Sequence, residues 1–177
     1  SGVVIGKANA VPTALDPERL PARGWDEAIE RSLDGEPATV VSALQINVHP
    51  ERRGEGLSGL MLAEMRRVAT VHGFPELVAP VRPSVKERYP LTPIDRYAAW
   101  TRADGLPFDP WLRVHVRAGG AIASVCSQAM TIPGSLADWE EWTGMAFPES
   151  GWYVVPGALA PWRAAAWRRA ISETVDT

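Results

Sequence analysis

The segment INVHPERRGEGLS, residues 46–58, connects a predicted strand to a predicted helix through a short basic turn. Residues 40–48 are rich in Val, Leu and Ile, which is typical of a buried strand. After the turn, apolar residues recur at helical spacing from Leu57 to Ala69, and Gly73 marks the end of the helix. The first turn of a helix has unpaired backbone N–H groups and a partial positive charge. The segment therefore predicts a strand, a turn and a helix that together bind an anion.

The residue types in the turn also favour anion binding. Arg52 and Arg53 supply positive charge and bidentate hydrogen-bond donors. Gly54 and Gly56 lack the Cβ atoms that would keep a phosphate away from the backbone. The segment matches neither GxxxxGK[ST] nor GxGxxG, which excludes these two nucleotide-binding loops. The alternative is an ordinary strand-to-helix turn with arginines on its surface.

The overall composition limits the classes of partner. The chain has 177 residues, with 18 Lys and Arg against 21 Asp and Glu, so a net charge of −3 gives no reason to expect nucleic acid binding. The single cysteine, Cys126, excludes an internal disulfide and a cysteine-based zinc site, so we expect no metal and a cytoplasmic protein. No apolar run approaches the ~20 residues of a membrane span, and we expect no membrane partner.

Elsewhere in the chain, strand and helix patterns alternate. Strands are predicted at 3–11, 40–48, 77–81, 112–117, 121–130 and 153–155, and helices at 25–32, 57–72, 94–104, 135–143 and 161–172. The strands at 112–117 and 121–130 are predicted to form a hairpin through Gly119 and Gly120. The expected fold class is α/β or α+β with a mixed sheet, in one domain that covers residues 1–177.

The turn resembles a known signature. Residues 48–58 are similar to the acyl-CoA-binding signature of the GNAT superfamily of N-acetyltransferases, in which a strand ending in V-x-P runs into R/Q-x-x-G-x-G/A. Arg53, Gly56 and Ser58 lie at its three signature positions, where Ser58 replaces the usual Gly or Ala. The predicted order of elements from about residue 38 to residue 130 also resembles that of a GNAT domain.

The resemblance implies a cofactor, a fold and a set of binding residues. It implies splayed central strands, with the thioester of acetyl-CoA or another acyl-CoA lying between strands 40–48 and 77–81. Backbone groups of Ile46 and Val48 would pair with the pantetheine arm of CoA. The pyrophosphate would be held by the turn and the first helical residues, namely Arg52, Arg53, Gly54, Glu55, Gly56, Leu57 and Ser58. The implied acceptor is a small-molecule or peptide amine, and a homodimer is a further implied partner.

The resemblance also points to two catalytic residues. Tyr97 lies in a region similar to the family's Y-x-x-x-G-F stretch and would protonate the departing thiolate, although Leu106 replaces the Phe. The alternative is that Tyr97 is an aromatic residue on the buried face of its helix. Residues 40–48 contain no carboxylate, so the base is predicted to be His115 or a water held by Gln45 or Asn47. A structural role for His115, between Arg113 and Arg117, is the alternative.

Two functional interpretations stay open at this point. The first is an enzyme that transfers an acetyl or short acyl group from acyl-CoA to an amine by direct attack. The second is a non-catalytic module of the same fold that binds or senses CoA, because the strand carboxylate is missing. About 39 residues precede Val40, fewer than in most GNAT domains, so we expect that N-terminal elements are missing. Alternatively, the Trp-rich C-terminal third, with Trp139, Trp142 and Trp152, builds the missing wall.

Overall fold

The computed structural model describes residues 2–165 of the chain. Within these residues the chain forms two compact units, one built from residues 2–85 and 94–131 and the other from residues 86–93 and 132–165. No helix in this part of the chain is long and apolar enough to cross a membrane.

The first unit contains a three-stranded sheet and four α-helices. Its elements are β1 (Gly6–Thr13), α1 (Trp25–Leu33), β2 (Val40–Val48), α2 (Leu57–Val71), β3 (Leu77–Val78), α3 (Ile94–Ala98) and α4 (Pro110–Arg117). The predicted strand 40–48 is confirmed residue for residue. The predicted helices at 25–32 and 57–72 are confirmed within one residue at each end.

The sheet is mixed, with β2 at its centre. β1 pairs with β2 antiparallel along its full length, whereas β3 pairs with β2 in parallel at only two positions, Val41 with Leu77 and Ser42 with Val78. The register of β1 against β2 shifts by one residue, because Asn9 lies opposite Gln45 and Ala10 lies opposite Ala43. Leu44 is therefore the extra residue of a bulge in the central strand. A mixed sheet with splayed central strands is confirmed.

Helices α1 and α2 pack against the three-stranded sheet. Leu15, Ala28 and Val40 form a buried cluster against Val78, which joins α1 to β2 and β3. On α2, the buried side chains are Leu62, Met65 and Ala69, and this helix contacts β1 and β2. A Cβ atom at Gly6 of β1 would lie 2.9 Å from the sulfur of Met61, so glycine at this position allows α2 to pack close to the strand.

The prediction of a strand at 112–117 is wrong, because these residues belong to α4. The Asp109 side chain accepts hydrogen bonds from the backbone N–H groups of Trp111 and Leu112, and Pro110 occupies the first turn. An N-cap aspartate followed by proline favours a helix start. The alternating sequence LRVHVR suits a strand as well as a short helix, and the cap decides between them.

The predicted hairpin at Gly119 and Gly120 is also wrong. The N–H of Gly120 donates to the carbonyl of His115, and the N–H of Gly119 donates to the carbonyl of Val116. This pair of hydrogen bonds is the Schellman motif that ends a helix. The two glycines therefore terminate α4, and residues 121–130 form no strand.

Helix α3 ends at Ala98, six residues earlier than the prediction for 94–104. The chain then turns back on itself, with the N–H of Phe108 donating to the carbonyl of Trp100 and the N–H of Arg102 donating to that of Leu106. The rings of Tyr97, Trp100 and Phe108 pack against one another in this turn. Aromatic packing thus replaces two further turns of helix.

The second unit contains α5 (Leu136–Thr143), β4 (Gly151–Tyr153) and β5 (Trp162–Ala164). Ser135 and Asp138 form a capping box at the start of α5, which confirms the helix predicted there. Its core consists of Phe147, Val155 and Ala164, packed against Trp139, Tyr153, Trp162 and neighbouring apolar residues. The helix predicted at 161–172 is wrong at residues 162–164, which form β5, and its remainder from residue 166 lies outside the described residues.

Asp109 joins α4 to two other segments of the first unit. Its carboxylate is 1% exposed and accepts hydrogen bonds from Ser84 Oγ, the Val85 N–H, Tyr97 Oη and the two N–H groups at the start of α4. Burial alone would raise the pKa of Asp109, but these hydrogen bonds outweigh it and hold the pKa below the ordinary value of 3.8. The charged form therefore stabilises the folded state at neutral pH.

We expect Asp109→Ala to lower the free energy of unfolding by about 3 kcal/mol, because buried donors lose their acceptor. Asp104→Ala is the control, since Asp104 is an exposed residue that pairs with Arg102 at 3.7 Å. This variant should lower the free energy of unfolding by about 0.5 kcal/mol. A carboxyl with a lowered pKa contributes stability above its unfolded pKa and loses it as pH falls through the folded pKa. The difference in the free energy of unfolding between wild type and Asp109→Asn, measured by urea melts, should therefore become smaller below about pH 4. Equal costs for the Asp109→Ala and Asp104→Ala variants would contradict this role.

Candidate functional site

The turn between β2 and α2 exposes backbone donors. Residues Pro50–Arg52 form a single turn of 3-10 helix, and Gly54 and Gly56 have φ values of 86° and 76°. These left-handed conformations favour glycine, and a Cβ built on either residue would have no neighbour within 4 Å. No side chain caps α2. The first N–H groups of this helix, at Leu57 and Ser58, are therefore accessible to an external anion.

The two arginines of the turn differ in their surroundings. Arg52 forms a two-point ion pair with Glu55, at 2.7 and 2.8 Å. This hydrogen bond and the charge of its partner raise the pKa of Arg52 and lower that of Glu55. No ion pair of Arg53 with another described residue is present. Arg53 is consequently the free cation of the turn, while Glu55 neutralises Arg52.

The second half of β2 has one unpaired edge. The N–H of His49 donates to the carbonyl of Ile5, so His49 points toward β1. Backbone groups of successive residues alternate between the two edges of a strand, which directs those of Val48 and Ile46 toward the opposite edge. Because β3 pairs only as far as Ser42, no strand within residues 2–165 covers that edge at Ile46 and Val48. Their backbone groups are therefore available to a ligand, at the end of the strand that leads into the turn.

A groove continues from the turn along α2. It has a volume of about 620 Å³ and is open to solvent between α2 and α4. Its lining residues are Gly56, Ser58, Gly59, Ala63, Arg66, Arg67 and Thr70 on the α2 side and Val114, Arg117 and Ala118 on the α4 side. No Asp or Glu is among these residues. The start of α2 thus borders a larger basic groove, which we call the α2–α4 groove.

Tyr97 lies in the core of the first unit. Its side chain is 1% exposed and its hydroxyl donates a 2.9 Å hydrogen bond to Asp109 Oδ2. Its ring packs against those of Trp100 and Phe108. The phenolic hydrogen is therefore already engaged by a buried carboxylate. This environment favours the interpretation of Tyr97 as a buried aromatic residue, and its role as an acid stays a prediction.

His115 lies on α4, not on a strand face between two arginines. Residues two apart point to different sides of a helix, so Arg113 and Arg117 do not form a row with it. Arg113 donates to the carbonyls of Pro107 and Phe108 instead. The Nε2 atom of His115 is buried without a hydrogen-bond partner, and burial lowers the pKa of the imidazole. Both observations favour the neutral imidazole, and the ring packs edge-on against Trp111.

The structure therefore places the predicted binding residues along one path, and it gives each of the two predicted catalytic residues a partner within the first unit. Ile46, Val48 and the residues of the turn are continuous along one path, whereas Tyr97 contacts Asp109 and His115 contacts Trp111. The path fits an acyl-CoA through its donor set, since uncapped N–H groups and a free arginine suit a pyrophosphate. No group of three or more His, Cys, Asp or Glu within residues 2–165 could hold a metal ion.

Sequence reasoning missed the α2–α4 groove. Gly59, Ala63, Arg66 and Thr70 recur at helical spacing and so lie on one face of α2, where Gly59 and Ala63 leave room for a group to approach closely. Arg117 was misplaced because the segment that carries it was predicted as a strand. Only the helical form of α4 and its position beside α2 place Arg117 on the groove.

Comparisons with known proteins point to one superfamily. A scan against models of protein families finds no match. The chain is 30% identical over 163 residues to an arginine N-acetyltransferase, avaD, of Aspergillus versicolor; the match covers 84% of this chain and 56% of the relative, so the chain spans just over half of that protein's length. The fold is similar to the crystal structure of the loading GNATL domain of CurA from Lyngbya majuscula, with a TM-score of 0.56 and 25% identity over 65% of this chain and 57% of that one. Together with the signature turn and the mixed sheet, these two similarities support a relationship of this chain to the GNAT superfamily of N-acetyltransferases.

Proposed function

We propose that the protein is an acyl-CoA-dependent N-acyltransferase that moves an acetyl or short acyl group to a small-molecule or peptide amine. The observation that carries this proposal is the continuous path from the unpaired edge of β2 to the uncapped start of α2. An elongated ligand with a polar amide arm and a pyrophosphate matches such a path, because the strand edge pairs with amides and the helix start with phosphate. The similarity to an enzyme named as an arginine N-acetyltransferase supports the same reaction class.

The chain's own residues have separate tasks in this proposal. Arg53 and the backbone N–H groups of Gly54 to Ser58 hold the pyrophosphate. The backbone of Ile46 and Val48 orients the pantetheine arm, so that the thioester lies where β2 and β3 diverge. Arg52 and Glu55 stiffen the turn through their ion pair. Direct attack forms a C–N bond and breaks the C–S bond, and the amine proton must pass to a base while the thiolate takes up a proton.

A second function is favoured by one observation. Residues 40–48 include no carboxylate, the Tyr97 hydroxyl already donates to Asp109, and the Nε2 atom of His115 is buried without a hydrogen-bond partner among the described residues. A module that binds or senses acyl-CoA without turnover would need the path described above and nothing more. The two functions share their binding residues and differ only in whether an amine is acylated.

Charge reversal at Arg53 tests the binding path. We expect Arg53→Glu to weaken acetyl-CoA binding by at least about tenfold in calorimetry, because a free cation beside the pyrophosphate is replaced by an anion. Arg52→Gln should change the affinity by less than about threefold, since Glu55 already neutralises Arg52. Arg163→Glu on β5 of the second unit is the charge-matched control and should leave the affinity unchanged. Absence of acetyl-CoA binding to the wild type at millimolar concentration would refute the proposed function.

Turnover separates the enzyme from the binding module. We expect thiol release from acetyl-CoA or another short acyl-CoA to depend on an added amine and to be saturable in both substrates. The measurement is a matrix of acyl-CoA against amines, with arginine, other amino acids, polyamines and a short peptide as acceptors. Binding of acyl-CoA without thiol release across the whole matrix would favour the sensing module instead.

Substitution of Tyr97 and His115 tests their predicted catalytic roles. Because the Tyr97 hydroxyl already donates to Asp109, we expect Tyr97→Phe to reduce the free energy of unfolding by about 1 kcal/mol and to change kcat by less than about threefold. A loss of kcat of about 100-fold at unchanged stability would instead assign Tyr97 as the acid. If the His115 ring only packs against Trp111, His115→Gln, measured in parallel, should lower the free energy of unfolding and leave kcat nearly unchanged.

A further inference from the structure

The α2–α4 groove carries more positive charge than its neighbours neutralise. No ion pair of Arg117 with another residue of the described chain is present, and the side chain is exposed. Arg66 donates one long hydrogen bond, at 3.5 Å, to the backbone carbonyl of Ala118. Arg67, the next residue on α2, is by contrast paired with Glu64 through two hydrogen bonds of 2.8 and 2.6 Å. Arg66 and Arg117 therefore remain available to an anionic ligand, and Arg67 does not.

The floor of the groove between these arginines and the turn is small and apolar. Gly59 and Ala63 line it on α2, and Val114 and Ala118 line it on α4. Such residues allow a flat group to approach the helices without leaving buried polar groups unpaired. The groove therefore has two anion-binding ends, the uncapped start of α2 and the Arg66 and Arg117 pair, separated by an apolar surface.

The distance between the two ends suits one nucleotide. Eight residues separate Ser58 from Arg66, which corresponds to about 12 Å along the helix axis. Helical side chains lean toward the N-terminus, and an arginine extends several ångströms, so its guanidinium group can approach the start of α2. The volume of about 620 Å³ is sufficient for a nucleoside with its phosphates.

We infer that Arg117, assisted by Arg66, binds a phosphate monoester on the ribose of the acyl-CoA, and so makes the protein selective for the 3′-phosphorylated cofactor over 3′-dephospho-CoA. A guanidinium group binds a phosphate dianion through two parallel hydrogen bonds, which gives both affinity and geometric selectivity. The inference rests on the proposed function, because it assigns the other end of the same ligand. It adds a role for two residues outside the signature turn.

The test compares two ligands that differ in a single phosphate. The affinities of wild-type protein for CoA and for 3′-dephospho-CoA are measured by calorimetry at one fixed salt concentration. We expect CoA to bind at least about tenfold more tightly. Arg117→Gln should weaken CoA binding by about tenfold and leave dephospho-CoA binding unchanged, so that the selectivity disappears. Arg66→Gln should reduce the selectivity in the same direction.

Arg31→Gln is the matched control, since it removes one charge at a residue of α1 that is already paired with Glu27 and does not line the groove. It should preserve the wild-type selectivity, and thermal melts of all three variants report whether they remain folded. Equal wild-type affinities for the two ligands would overturn the inference and leave the proposed function intact. Equal loss of affinity for both ligands in Arg117→Gln would also overturn it. Failure of both ligands to bind the wild type would refute the proposed function together with the inference.

Discussion

The pairing of β2 with β3 at only two residues is the constraint on which the rest of the site depends. A central strand normally satisfies its backbone groups on both edges, and a buried strand edge without partners is costly. Here the parallel ladder stops at Ser42, and the bulge at Leu44 follows two residues later. Beyond it, the edge that carries the backbone groups of Ile46 and Val48 has no strand neighbour in the part of the chain that the structure describes. A ligand with its own amide groups can satisfy that edge.

The turn after β2 combines with this unpaired edge. Because α2 starts directly after Gly56 and has no side-chain cap, its first N–H groups are available at the end of the strand. The ion pair of Arg52 with Glu55 leaves Arg53 as the cation that faces no protein partner among the described residues. An elongated anionic ligand on this path would therefore hydrogen-bond to the backbone of the strand edge and then, through its phosphate, to the N–H groups at the start of α2. The α2–α4 groove extends this sequence of contacts toward Arg66 and Arg117.

Asp109 organises the other side of the first unit. One buried carboxylate caps α4, holds the backbone at Val85 and accepts the hydrogen bond of Tyr97. A buried carboxylate with this many hydrogen bonds serves mainly to hold structural elements in place. Its bond to the Tyr97 hydroxyl explains why a tyrosine that resembles a catalytic residue lies in the core. The orientation of α4, and with it the position of Arg117 on the groove, depends on this cap.

The sequence by itself determined β2, the turn and α2, because their signals are local: apolar strand residues, two glycines and a helical repeat follow one another between Val40 and Val71. It also predicted α5, whose capping box joins residues only three positions apart. It could not decide between a strand and a helix for residues 112–117, because their alternating pattern also suits a strand. The Asp109 cap and the Schellman motif at Gly119 and Gly120 together make this segment a helix. Only the tertiary structure decided the splay of the sheet, the burial of Tyr97 and the α2–α4 groove, because each depends on contacts between residues far apart in the chain.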